Sequence, residues 1–253
     1  MKPSVLVAAG CSWVFGKNVD AESTFAYALQ QQLGLDKCCV IAENGSNNYT
    51  QLHRVIEFIK DNRNSYSQIF VLWGLTSIYR WEMYSATTNQ IEPCMLGRSL
   101  PNTDSDDELK YYFAHFFNTE YELTKLGDQI TLLNGYLKSL DVGHLIFNSF
   151  QGYNSKDLNI DIDSKYFYQV EEKNNDMLSF LCENNNIKIS STKVPWLNLA
   201  RDSSNSQFNN SSIKELQSAG MLDSLDAHPT IEAHKLIANK LYDYIKEKNN
   251  ERI

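Results

Sequence analysis

Short apolar runs alternate with stretches of helical spacing along most of the chain. Ser4–Ala9 is a β-rich run that ends at a glycine. Thr24–Leu33 has helical spacing and stops at Gly34, and Cys38–Ala42 is a second strand-like run. Thr50–Lys60 places Leu52, Val55, Ile56 and Ile59 on one face of a helix. Gln68–Trp73 is a third continuous apolar run, ending at Gly74. Runs without alternation suit strands buried on both faces. Beyond Gly74 the pattern loosens, and 75–107, with its aromatics, two prolines and the acidic stretch from Asp104 to Glu108, reads as an insertion. A helix or a broken pair of helices is expected over 108–140, and a fourth strand over His144–Phe150. Residues 151–168, polar and aromatic, form a second excursion. Val170–Glu183 reads as helix, Ile187–Ser190 as a short fifth strand, 201–211 as loop, Ser212–Ala219 as a short helix, and Ile231–Lys246 as a closing amphipathic helix. Five strands alternating with helices predict a five-stranded parallel sheet with right-handed crossovers. No internal repeat breaks the pattern, so residues 1–253 are expected to form one domain, with loop insertions near 75–107 and 151–168.

Composition narrows the partners. The chain carries 31 acidic and 23 basic side chains, a formal net charge of −8. Nucleic-acid binders normally show a basic balance or a basic stripe, and neither is present, so nucleic acid is not an expected partner. No apolar run approaches the ~20 residues that span a bilayer, so no membrane is expected either. The five cysteines include no Cys-x-x-Cys pair, which suggests reduced thiols and a cytoplasmic location. Val5–Cys11 imitates a lipoprotein cleavage site, but only ten residues precede the cysteine, and a strand explains them better.

In open parallel sheets the site lies beyond the carboxyl ends of the strands. The segments there are Gly10-Cys11-Ser12-Trp13-Val14-Phe15-Gly16, Asn44-Gly45-Ser46-Asn47-Asn48, and Gly74-Leu75-Thr76-Ser77 followed by Ile78-Tyr79-Arg80-Trp81-Glu82. Asp226-Ala227-His228-Pro229-Thr230 precedes the last helix. Brought to one edge, they offer a hydroxyl, a cluster of amide donors and an imidazole. A serine hydroxyl is a weak nucleophile at neutral pH and needs a base within hydrogen-bond reach.

This set resembles the SGNH/GDSL hydrolase family, in a Gly-Cys-Ser form common in bacterial and phage genomes. The resemblance implies a flavodoxin-like three-layer α/β/α sandwich and an ester hydrolase acting on a small acyl ester, such as acetyl on a carbohydrate. It makes Ser12 the nucleophile, with Cys11, where the usual Asp sits, as competitor. It makes His228 the general base. Asp226 orients the imidazole in this reading, with Asp223 a second candidate, because the family more often has its acid three residues before the histidine, where this chain has Leu225. Gly45 and Asn47 fall in the block that supplies an oxyanion amide. Thr76 stands where the family's third-block asparagine would donate. Arg80 is a candidate clamp for a carboxylate or phosphate on the substrate, or else pairs with Glu82. Trp13 and Trp81 are the aromatics placed for substrate contact. A form that keeps the fold and binds glycans without chemistry is the alternative, and an O-acyltransferase a third. The remaining histidines, His53, His115, His144 and His234, lack metal-ligand spacing, and no dinucleotide or Walker loop follows the first strand, so neither metal nor cofactor is expected.

Overall fold

The computed structural model describes residues 2–85, 89–95, 115–189 and 211–250, with the backbone alone at 83–85, 90–95 and 249–250. Four parallel strands form the main sheet: β1 (Ser4–Ala9), β2 (Lys37–Val40), β3 (Gln68–Leu75) and β6 (Gly143–Asn148), in the order β2-β1-β3-β6. Strand order reverses between β1 and β3, which is the flavodoxin-like arrangement. A separate antiparallel hairpin joins β4 (Arg80–Ser85) to β5 (Gln90–Met95) and forms the described part of the 75–107 excursion.

Alternation along β1 divides the interior in two. Leu6 and Ala8 point to one core, shared with α2 (Phe25–Gln32), α6 (Met177–Asn184), α7 (Ser211–Ser218) and α8 (Ile231–Asn250). Val5, Val7 and Ala9 point to the other, under α3 (Asn48–Asn62) and α4 (Thr119–Ser139). Helices on both faces make the sheet the middle of three layers. An eight-residue helix such as α2 is too short to hold by itself. Its Phe25, Ala26 and Leu29 are buried with Ala233, Ile237 and Leu241 of α8, and that packing keeps it helical. Side-chain caps mark where helices begin: Asn47 accepts from Thr50 N–H, Asn118 from Tyr121 N–H, and Asp176 from Ser179 N–H.

Two expectations are corrected. The fifth strand over Ile187–Ser190 does not form: residues 187–189 carry no strand, and Ser190 lies outside the described residues. The place beside β6 is taken by the end of the second excursion. Ile146 N–H donates to Tyr166 O and Tyr168 N–H to Ile146 O, both at 2.8 Å, so Phe167 bridges Ile146 in parallel. Ile187 and Ile189 instead pack on the core next to α6. The helix over Val170–Glu183 begins only at Met177, because Asp176 caps it and the exposed run 171–174 before it has nothing to bury. The helix expected over 108–140 is present as α4; 108–114 and the loop positions 201–210 lie outside the described residues.

Candidate active site

The carboxyl ends of all four main-sheet strands point toward one edge, and the site is built there. Immediately after β1 the chain turns at Gly10, φ +153°, where a Cβ would meet Val14 Cγ2 at 2.3 Å and Gly74 O at 2.9 Å. Only glycine allows the first turn to sit so close to the end of β3. Cys11 then caps the four-residue helix α1 (Ser12–Phe15) with its carbonyl, which accepts from Val14 and Phe15. Ser12 is the first helical residue, so its N–H has no intrahelical acceptor.

Ser12 Oγ lies 2.8 Å from His228 Nε2, across 216 residues of sequence. On the other side of the ring, His228 Nδ1 lies 2.7 Å from Asp226 Oδ1. With the proton on Nδ1, facing the carboxylate, Nε2 is free to accept from the serine hydroxyl. The loop carrying both residues is tight. Asp223 N–H donates to His228 O at 2.7 Å, Ala227 N–H donates to Asp223 O at 3.1 Å, and Ala227 is held at φ +57°. The Asp223 carboxylate accepts from the Leu225 and Asp226 N–H groups, so it shapes the loop, while Asp226 meets the imidazole. Leu225 is 83% exposed.

Two residues that sequence reasoning did not single out surround Asp226. Lys17 Nζ lies 2.6 Å from Oδ2, and Asn18 Nδ2 donates to both carboxylate oxygens at 3.1 Å. Burial pushes the Asp226 carboxyl up, but hydrogen bonds from Lys17 and His228 outweigh it and bring it down to about 2. Burial lowers the His228 imidazole below its usual value; Asp226 works against that, and the charges of Lys17 and Arg80 add to it. The ring is therefore neutral at neutral pH and available as a base. No motif marks Lys17 or Asn18; they reach Asp226 only because α1 ends beside the histidine loop.

Asn48 and Gln51 were also missed, and a signal did exist. They are polar positions three residues apart on the buried stripe of α3 that continues through Leu52, Val55 and Ile59. Gln51 Oε1 accepts from Gly10 N–H at 2.9 Å, and its Nε2 donates to Ser46 Oγ at 2.6 Å. Asn48 pairs with the Thr76 backbone in both directions, accepting from its N–H at 2.8 Å and donating to its carbonyl at 2.9 Å. One turn of one helix thus holds the Gly10–Ser12 turn, the Gly45–Ser46 turn and the exit of β3 in register. Tyr153 adds to this, donating to Thr76 O at 3.1 Å and accepting from Ile78 N–H at 2.9 Å.

The other expected site residues divide as follows. Gly45 forms the turn after β2 at φ +79°, with open space where a side chain would be. Asn47 spends its amide oxygen on the α3 cap, the turn-holding role. Thr76 is 1% exposed, and its Oγ1 is buried without a hydrogen-bond partner. Trp13 is 7% exposed and packs 5.6 Å from the Phe150 ring, so it is wall rather than platform. Trp81 is half-buried in the lining of a cleft of about 570 Å³, with Asn47, Asn48, Ile78 and Arg80. Arg80 does not pair with Glu82; its guanidinium lies 5.3 Å from the centroid of the Phe150 ring. Cys11 is fully buried, and His228 faces its neighbour Ser12 instead. His234 is buried behind the site, its Nδ1 accepting from Phe25 N–H, and burial pushes it down to about 4. Among the described residues no group of three His, Cys, Asp or Glu side chains is placed to hold a metal ion, and no helix is long and apolar enough to cross a membrane.

No family model and no curated protein matches the chain. Solved structures similar to it include a lipolytic protein of the G-D-S-L family from Desulfitobacterium hafniense DCB-2, at 11% identity over 95% of this chain and 98% of that one, with a TM-score of 0.44. The psychrotrophic esterase EstA from Pseudoalteromonas sp. aligns at 12% identity over 97% of this chain and 98% of its own, with a TM-score of 0.44. An acetyl xylan esterase, AlAXEase, aligns at 10% identity over 96% and 99%, with a TM-score of 0.42.

Proposed function

We propose that this chain is a serine ester hydrolase of the SGNH/GDSL type, acting on a small acyl ester such as an acetyl group on a carbohydrate. The observation that carries the reading is the continuous contact from Ser12 Oγ through His228 to Asp226, at 2.8 and 2.7 Å. A hydroxyl, a neutral imidazole and a carboxylate in that order activate a serine for acyl transfer.

In this mechanism Ser12 Oγ attacks the acyl carbonyl carbon as His228 Nε2 takes the hydroxyl proton. Asp226 holds the Nδ1–H tautomer and stabilises the imidazolium that forms. The oxyanion is received by the N–H groups of Ser12 and Gly45, with Thr76 Oγ1 or the Asn47 amide as a further donor. Collapse of the tetrahedral intermediate releases the alcohol, protonated by His228. Water, deprotonated by the same ring, then attacks the acyl-Ser12 ester and frees the acid. Asp226 is the acid of this relay, and Asp223 its scaffold. The assembled relay supports a working enzyme over a fold that only binds glycans.

The test is covalent labelling with a fluorophosphonate probe, beside hydrolysis of 4-nitrophenyl acetate, in wild type, Ser12→Ala and His228→Ala. Labelling and hydrolysis in wild type that vanish in both variants are the expected result. Folded wild type that neither labels nor hydrolyses would overturn the reading.

A further inference from the structure

Arg80 opens β4 at the edge where the sheet presents Ser12, and its guanidinium has no counter-ion among the described residues. Nε and Nη1 are buried and have no hydrogen-bond partner. The group lies over the Phe150 ring at 5.3 Å, and Phe150 in turn packs on Trp13, the residue after Ser12. It is close enough to His228 for its charge to lower that imidazole's proton affinity. A cation stripped of much of its water and left without an acceptor is costly unless an anion arrives to complete it. The stacking on Phe150 recovers only part of that cost.

The walls of the cleft say what kind of anion fits. Besides Arg80 they carry Lys125, Glu82 and Glu122. Lys125 and Glu122 pair with each other at 3.4 Å. Among the described residues that leaves one uncommitted guanidinium opposed by one carboxylate, Glu82. One guanidinium compensates one negative charge, and the second charge of a dianion would be left facing Glu82. A planar guanidinium matches a carboxylate through two parallel N–H bonds. Ser12 and His228 do not themselves line this cleft, whose Arg80 is the electrostatic neighbour of His228, so with a small acyl group at Ser12 it is the alcohol portion of the ester that can reach it.

We infer that the ester hydrolysed here carries a carboxylate on its alcohol portion, as an O-acetylated uronic acid does, and that Arg80 binds that carboxylate. This rests on the ester-hydrolase reading above and adds the substrate class to it. Arg80 acts as a specificity residue, discriminating by charge, and takes no part in the acyl-transfer steps.

The test compares kcat/KM for methyl O-acetyl-glucuronoside, methyl O-acetyl-glucoside and an O-acetyl glucose phosphate, in wild type, Arg80→Gln and Arg80→Lys. A charge-assisted hydrogen bond predicts an advantage of about 10- to 100-fold for the uronoside over the neutral glucoside. Arg80→Gln brings that ratio close to one, and Arg80→Lys retains part of it because the charge stays while the fork is lost. The phosphate is a poorer substrate than the uronoside. Equal rates for uronoside and glucoside, a preference that survives Arg80→Gln, or a phosphate that outperforms the uronoside would each overturn the inference while leaving the hydrolase reading intact. If wild type cleaves no ester and takes no fluorophosphonate, the hydrolase reading fails, and binding decides the rest. Millimolar glucuronate, but not glucose, then raises the melting temperature of wild type and not of Arg80→Gln; the absence of any shift overturns the anion site as well.

Discussion

Lys17 Nζ lies 2.6 Å from Asp226 Oδ2, on the side of the carboxylate away from His228. The acid of the proposed relay is therefore shared between the imidazole and a lysine at the end of the nucleophile's own helix. A positive charge there lowers the proton affinity of His228, in the same direction as burial. The base must be neutral to act, so activity falls as pH drops through the His228 value. Lys17→Met removes the charge, His228 moves up toward its ordinary range, and the acid limb of the kcat/KM profile shifts to higher pH. The pH–rate profiles of wild type and variant, compared between pH 4 and 8, read this directly; a shift to lower pH contradicts it.

Asp226 and Asp223 make distinguishable predictions. Asp226→Asn removes the acceptor for Nδ1–H and favours the wrong tautomer, and the loss expected is about 10³- to 10⁴-fold in kcat. Asp223 accepts from two backbone N–H groups and never meets the ring. Asp223→Asn keeps an acceptor oxygen in place, so it costs activity far less, and its effect appears mainly as a lower melting temperature. A larger loss of kcat for Asp223→Asn than for Asp226→Asn would reverse the assignment.

Asn48→Ala leaves the Thr76 N–H and carbonyl without their side-chain partner. A buried polar group left unsatisfied costs roughly 1–3 kcal/mol, and Thr76 O still accepts from Tyr153, so the lower part of that range is expected. The same change frees the β3 exit relative to Gly10, so kcat falls along with stability. Denaturant unfolding and steady-state kinetics on one preparation measure both; Gln51→Leu, which unties Gly10 from Ser46, gives the same pair of effects.

Thr76→Val separates function from stability. The Thr76 hydroxyl is buried and unpartnered, so replacing it with a methyl group removes an unsatisfied polar atom and leaves the melting temperature unchanged or higher. If that hydroxyl donates to the oxyanion, kcat falls by about 10²- to 10³-fold with little change in KM. Unchanged kcat assigns the donor role to Asn47 or to backbone alone.

The fold was legible wherever one residue pattern had one structural meaning. The continuous apolar runs at Ser4–Ala9 and Gln68–Trp73 became the central strands Ser4–Ala9 and Gln68–Leu75 because burial on both faces leaves little room for polar positions. Ile187–Ser190 carried a similar signal, yet its described residues 187–189 form no strand, and Tyr166–Tyr168 hydrogen-bonds the edge of β6. Competition for a sheet edge is settled by which segment the preceding turns deliver there, and local composition does not encode that. Likewise the helix expected from Val170 waits until Met177, where a capping carboxylate and a buried face coincide.

The same division runs through the candidate site. Ser12 and His228 could be singled out as candidates because the strand ends and the family resemblance point to them, while the carboxylate was left open between Asp226 and Asp223. Lys17 and Asn18 could not, since lysine and asparagine just past a short helix are ordinary in any sequence, and Asn48 and Gln51 showed only as polar positions on the otherwise apolar buried stripe of α3. Their roles come from distances between segments as far apart as Lys17 and Asp226, fixed when both sheet faces are packed. By itself the sequence determined the layered α/β class and the chemical types gathered at one sheet edge, because periodicity and reactivity are local properties. Only the tertiary structure decided which carboxylate meets the imidazole, which side chains hold the loops, and that Arg80 lies on Phe150 with no counter-ion among the described residues, because these depend on contacts between segments far apart in the chain.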